Sequence, residues 1–81
     1  MNVMKEVKLL SDLGSNIRRL RDEHGWSAEE LSRQSGITMY TIYQIENSIQ
    51  ENPRLGTLQK IADGLGVTVV DLLGEPKAKA S

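Results

Sequence analysis

Cysteine is missing altogether from the 81 residues. That removes both a disulfide framework and a thiolate metal site, and it suits a reducing cytosol. Long apolar runs are missing too. The longest span only a few residues, so no segment has the length of a membrane span and no signal-peptide core follows Met1. The expectation is a soluble, cytoplasmic chain. A charge excess is also lacking. Ten basic and eleven acidic groups leave a net charge of −1, without the basic footprint that a nucleic-acid binder usually carries. The parts of an enzyme are equally scarce. There is one histidine, no nucleophile–histidine set, no H-x-x-x-H pair and no glycine loop to cradle a phosphate, so neither catalysis nor a cofactor or metal is expected.

What remains is one small domain with a single modest core. Its charge is uneven. Residues 1–26 hold Lys5, Lys8, Arg18, Arg19 and Arg21 against four acidic groups, whereas residues 27–76 hold Arg33, Arg54 and Lys60 against seven. Lys77 and Lys79 fall in a short tail.

One pattern recurs three times: an apolar residue, Ser or Thr, two more residues, a polar residue, then another apolar one. It reads Trp26-Ser27-x-x-Glu30-Leu31, Ile37-Thr38-x-x-Thr41-Ile42 and Val67-Thr68-x-x-Asp71-Leu72. The hydroxyl can accept a bond from an orphan amide of a first helical turn, and the apolar pair can close as a staple. Glu30 is expected to complete a capping box with Ser27, and Asp71 a shorter version with Thr68. Helices are therefore predicted to begin near residues 28, 39 and 69. Upstream, Leu13, Ile17 and Leu20 recur at helical spacing. With Ser11 as cap and Gly25 as stop, they predict a helix over about 12–24. Gly14 inside it costs about 1 kcal/mol against alanine, which points to close packing. Leu58, Ile61, Ala62 and Leu65 mark a further helix ended by Gly66. Asn47 to Gly56 reads as a loop, and residues 74–81 are expected to fray. No alternating pattern supports a strand. The fold class is all-α with five helices, a domain over 12–74 between an N-terminal extension (1–11) and a flexible tail (75–81). Its predicted core is Leu13, Ile17, Leu20, Leu31, Ile37, Ile42, Ile45, Leu58, Ile61, Leu65 and Leu72.

Only Ser35-Gly36-Ile37 separates the second and third helices, and glycine there permits the positive φ of a sharp turn. Such a tight pair can lay its second helix in a major groove. From Leu13 to Leu73 the chain resembles the helix-turn-helix domains of the phage-repressor/Cro (XRE-like) family. The resemblance rests on Ile17-Arg18-Arg19-Leu20-Arg21, Gly25 through Ser32, Gly36-Ile37-Thr38, Ile42 through Glu46, Asn52-Pro53, and Leu58 through Leu73. It implies a DNA-binding transcriptional regulator, a repressor by expectation, that inserts the helix starting at Thr38.

Position by position, the resemblance implies base contacts from Met39, Tyr40, Thr41 and Gln44. It implies phosphate contacts from Ser27, Ala28, Thr38, Tyr43, Asn47 and Arg54. It also implies a structural ion pair between Arg21 and Glu46. The chemistry agrees: Gln can bond adenine bidentately, Met and Tyr can meet a thymine methyl, and helix N-termini suit phosphate. The chain departs from the family where Ala28 replaces a common glutamine. Ser48 and Ile49 replace a glycine and a basic residue, and Arg54 replaces a capping serine. Trp26 is read as a staple on Leu31, His24 as a surface histidine at a helix end, and Arg18 and Arg19 as a solvated face.

The expected partners are double-stranded operator DNA and a second copy of the chain, the latter through Val69, Val70 and Leu73. No membrane or small-molecule ligand is expected. The rival reading keeps the fold as a protein-interaction module, such as an antitoxin or a coactivator.

Overall fold

The three Ser/Thr motifs all become helix starts. In a computed structural model that describes residues 3–50 and 52–74, with side chains from residue 12 onward, the order is α1 (Val3–Glu23), α2 (Ala28–Ser35), α3 (Met39–Glu46), α4 (Leu55–Leu65) and α5 (Val69–Leu73). No strand occurs among the described residues, and no helix there is long and apolar enough to cross a membrane. The tail expected to fray lies, beyond Gly74, outside the described residues.

Each cap is made as the pattern requires. Ser27 Oγ accepts from the Glu30 amide at 3.1 Å, Thr38 Oγ1 from the Thr41 amide at 3.2 Å, and Thr68 Oγ1 from the Asp71 amide at 3.2 Å. The reciprocal bond, however, closes at the third motif and not the first. The Thr68 amide donates to Asp71 Oδ2 at 2.9 Å, which completes the box. Glu30 is diverted: its two oxygens accept from Arg33 Nη2 and, at 2.7 Å, from Gln34 Nε2. Those bonds, Arg33 foremost, lower the Glu30 pKa from its ordinary value.

Two expected boundaries move. Helix α1 starts at Val3 and runs straight through Ser11, because residues 4–10 are mostly good helix formers and a lone interior serine costs only tenths of a kcal/mol. Helix α4 starts at Leu55, so Gly56 lies in its first turn and not in the loop. Its N-cap is Arg54, which makes no side-chain cap bond.

The core is formed by Leu13, Ile17, Leu31, Ile42, Ile45, Leu58, Ile61, Ala62, Leu65 and Leu72. Leu20 and Ile37, predicted as core, are only partly buried against it, as is Trp26. Ile37 occupies the α2–α3 turn, where water reaches one side; Ala62 completes the core from α4. Helix α2 packs on α3 and α4, and α1 packs on α3 and α5. Two of these approaches need glycine. Gly14 abuts the α3 backbone, and a Cβ on Gly64 would stand 3.0 Å from the Ser35 Cα of α2. The first was legible as a costly mid-helix glycine; the second had no such signal. The far end of α5 is tied to α1, where Asn16 Nδ2 donates to the Leu72 carbonyl at 3.0 Å.

Candidate nucleic-acid interface

Helix α3 divides its residues cleanly between core and surface. Ile42 and Ile45 are buried, while Met39, Tyr40 and Tyr43 are 49%, 69% and 54% exposed. Thr41 and Gln44 are half-buried beside them. Three and four positions apart, Tyr40, Tyr43 and Gln44 share one face of the helix. The front of α3 is therefore polar and aromatic, with no lysine or arginine.

The turn before α3 places that face. Gly36 caps α2 at φ 76°, and its amide bonds the Ser32 carbonyl, the left-handed stop that only glycine adopts at little cost. Ser35 Oγ accepts from the Ile37 amide at 3.1 Å, which holds the turn. The hydroxyl of Thr38 is used twice, accepting from the Thr41 amide and donating to Thr41 Oγ1 at 3.0 Å. Neither hydroxyl is therefore wholly open to a ligand.

Behind the turn, Ser27 is exposed at the α2 N-cap and Ala28 is half-buried against the core. Beyond α3, Asn47 Nδ2 donates to the Tyr43 carbonyl at 2.9 Å, which uses one of its two donor hydrogens. The chain then turns at Ser48 with φ 60°, a left-handed conformation in a non-glycine residue. Arg54 is exposed at the start of α4, with no ion-pair partner among the described residues. The exposed Ser27, Thr38, Asn47 and Arg54 all lie at helix termini. Ser27, Thr38 and Arg54 stand at helix N-termini, where amides and hydroxyls favour anions. Asn47 instead stands at the C-terminus of α3 and can offer an anion only its remaining side-chain N–H.

Helix α3 is held from behind by the expected ion pair. Arg21 Nε and Nη2 donate to Glu46 Oε2 and Oε1 at 2.8 and 2.9 Å, and Arg21 Nη1 donates to the Trp26 carbonyl at 3.0 Å. The side chains are only 15% and 4% exposed. The hydrogen bonds that Arg21 donates to Glu46 raise the Arg21 pKa further, against the opposing effect of burial. Arg18 joins them, with Nε 3.5 Å from Glu46 Oε1. Arg18 is exposed, as expected, but lying three residues before Arg21 it shares that side of α1 and so also reaches Glu46. Arg19 does face solvent, paired with Glu23.

His24 is exposed at a helix end as expected, but it has partners remote in sequence. Its Nε2 lies 2.9 Å from the Leu65 carbonyl oxygen, and its ring stacks on Trp26 with centroids 4.2 Å apart. Only tertiary folding brings that carbonyl, 41 residues away, to the end of α1.

The profile of the helix-turn-helix family HTH_3 matches residues 17–72. The HTH-type transcriptional regulator SinR of Bacillus subtilis (strain 168) is 35% identical over 63 residues, which cover 78% of this chain and 57% of SinR. A hypothetical transcription factor of Neisseria meningitidis is 35% identical over 74 residues, 91% of this chain and 69% of that protein. Among solved structures, the hypothetical transcription factor NHTF from Neisseria superposes with a TM-score of 0.75 at 36% identity, covering 85% of this chain and 78% of its own. An HTH_3 family transcriptional regulator from Vibrio cholerae gives a TM-score of 0.73 at 27% identity, covering 83% of this chain and 37% of its own. The chain thus spans little more than half the length of SinR.

Proposed function

This chain belongs to the HTH_3 helix-turn-helix family, and on that premise we propose that it is a sequence-specific DNA-binding transcriptional regulator, acting as a repressor. The observation that carries the proposal is the exposed polar and aromatic front of α3, bordered by helix termini and fixed from behind by Arg21 and Glu46. Helix α3 enters the major groove, where Met39, Tyr40, Thr41 and Gln44 meet base edges. Ser27, the Ala28 amide, Thr38, Tyr43, Asn47 and Arg54 meet phosphates on either side. Similarity to proteins described as transcriptional regulators supports the same reading. The protein works in the cytoplasm, with the chromosome.

A single recognition helix reads only a few base pairs, so the functional unit is a homodimer on two half-sites about 10–10.5 bp apart. Val69, Val70 and Leu73 on α5 supply the contact. Val70 is exposed and the other two are half-buried, so this short helix carries more apolar surface than the core uses.

The deciding experiment is selection from a randomised duplex library, followed by mobility-shift titration of the enriched sequence at low salt. Enrichment of one two-fold-related sequence supports the proposal. Absence of binding to any duplex overturns it in favour of a protein-interaction module, for which exposed Ile49 and the acidic balance already speak.

A further inference from the structure

The side chains that α3 presents are suited to A·T base pairs and unsuited to G·C. Guanine is read most often by arginine or lysine on its O6 and N7, and cytosine by a carboxylate accepting from its amino group. Helix α3, Met39-Tyr40-Thr41-Ile42-Tyr43-Gln44-Ile45-Glu46, carries neither cation. Its one carboxylate is withdrawn, since Glu46 is 4% exposed and held by Arg21 and Arg18. The hydroxyls of Thr38 and Thr41 bond one another. What remains open at the front is the Gln44 amide, which can bond adenine N6 and N7, the exposed apolar bodies of Met39 and Tyr40, and the Tyr43 ring, assigned above to phosphate. Thr41 Oγ1 can still donate its one hydrogen, which does not discriminate between base pairs.

An apolar surface in the major groove has one counterpart among the bases, the thymine C5-methyl group. We infer that α3 selects A·T-rich half-sites, with Met39 and Tyr40 packing on thymine methyls and Gln44 reading an adenine. The inference rests on the DNA-binding reading above and adds the class of sequence that the helix selects. Specificity then comes from burial of methyl groups more than from charge-assisted bonds, which suits a chain of net charge −1.

The test uses the full chain and the duplex enriched by selection, with thymines replaced one at a time by deoxyuridine. That change removes the methyl and leaves base pairing intact. Each contacted methyl should be worth about fourfold in affinity, from the transfer free energy of one buried carbon. Replacing a contacted T·A pair by C·G should abolish the preference, and 5-methylcytosine at that position should recover part of it. Tyr40→Ala should erase the deoxyuridine effect at its position, whereas Tyr40→Phe, which keeps the ring, should preserve it. Tyr40 is exposed, so both variants should keep the wild-type helical circular dichroism spectrum. A duplex substituted with 7-deazaguanine, which lacks the N7 acceptor, should bind unchanged under the recognition helix. Tight binding that ignores every deoxyuridine, or that falls with 7-deazaguanine, overturns this inference and leaves the DNA-binding reading standing. Failure to enrich any duplex overturns both.

Discussion

Gly14 of α1 lies so close to the Ile45 carbonyl oxygen of α3 that a Cβ there would overlap it, and would stand 2.7 Å from the carbonyl oxygen of Glu46. Both neighbours are backbone atoms and cannot swing aside. Gly14→Ala would gain about 1 kcal/mol of helix propensity but would have to force the two helices apart. Overpacking of this kind costs about 1–3 kcal/mol. The variant should be destabilised in urea melts and should bind DNA more weakly, because α3 is displaced. A raised midpoint would mean that the two helices do not approach this closely.

The same helix pair is clamped by Arg21 and Glu46. Breaking a largely buried pair leaves a charge without its partner, so Glu46→Ala should cost about 3 kcal/mol or more. Arg21→Ala should cost somewhat less, because Arg18 still lies beside Glu46. Replacing both by apolar residues of similar size, Arg21→Met with Glu46→Leu, should restore most of that loss. A double-mutant cycle from urea unfolding measures the coupling; additive losses would show that the pair contributes little.

Ser48 occupies φ 60°, which costs a residue with a side chain about 1–2 kcal/mol. Glycine removes that strain but gives back part of the gain in unfolded-state entropy. Ser48→Gly should therefore stabilise the protein by about 0.5–1 kcal/mol, read as a raised urea midpoint at unchanged slope. Ser48→Ala should not.

Base reading and phosphate gripping should separate by mutation. Gln44→Ala is expected to cost about 1–3 kcal/mol on the preferred duplex and to relax preference at one base pair per half-site. Arg54→Ala should instead weaken binding to all duplexes alike. If a dimer neutralises about four to six phosphates, log affinity should fall against log salt with a slope of about −4 to −5, and Arg54→Ala should make it shallower by about one unit per subunit. Titrations on preferred and scrambled duplexes at several salt concentrations read all three. An altered base preference in Arg54→Ala would break the assignment.

Adjacent residues of α5 should behave in opposite ways. Val70 is 70% exposed, so Val70→Glu should keep the helical circular dichroism spectrum, while sedimentation should show the proposed homodimer dissociating. Leu72 is fully buried, so Leu72→Ala should lose about 2–5 kcal/mol of stability. A dimer that survives Val70→Glu would place its interface elsewhere.

The local signals in the chain sufficed for much of this molecule. Ser27, Thr38 and Thr68 mark helix starts because a cap bond spans only three residues. Leu13, Ile17, Leu31, Ile42, Ile45, Leu58, Ile61, Leu65 and Leu72 are core because helical periodicity puts them on one side of their helices. Gly14 was legible as a close contact because an interior glycine carries a cost that something must offset. The positions assigned to the candidate interface came through resemblance to a family, and spacing alone would not have supplied them.

Competition among side chains and the meeting of distant segments were decided only in three dimensions. Glu30 could have completed the first capping box, but Arg33 and Gln34 claim it, whereas Asp71 closes its box with Thr68. Arg18 joins Glu46 only once α1 lies against α3, and His24 reaches the Leu65 carbonyl only once the end of α1 meets the end of α4. The close fit of Gly64 on Ser35 likewise exists only after α2 and α4 meet. The sequence by itself determined which segments are helical and which faces are apolar, because those depend on bonds and spacings within one or two turns. Tertiary structure decided which polar groups find partners and how much of the α3 front stays open, because those outcomes depend on distances between helices that no local pattern encodes.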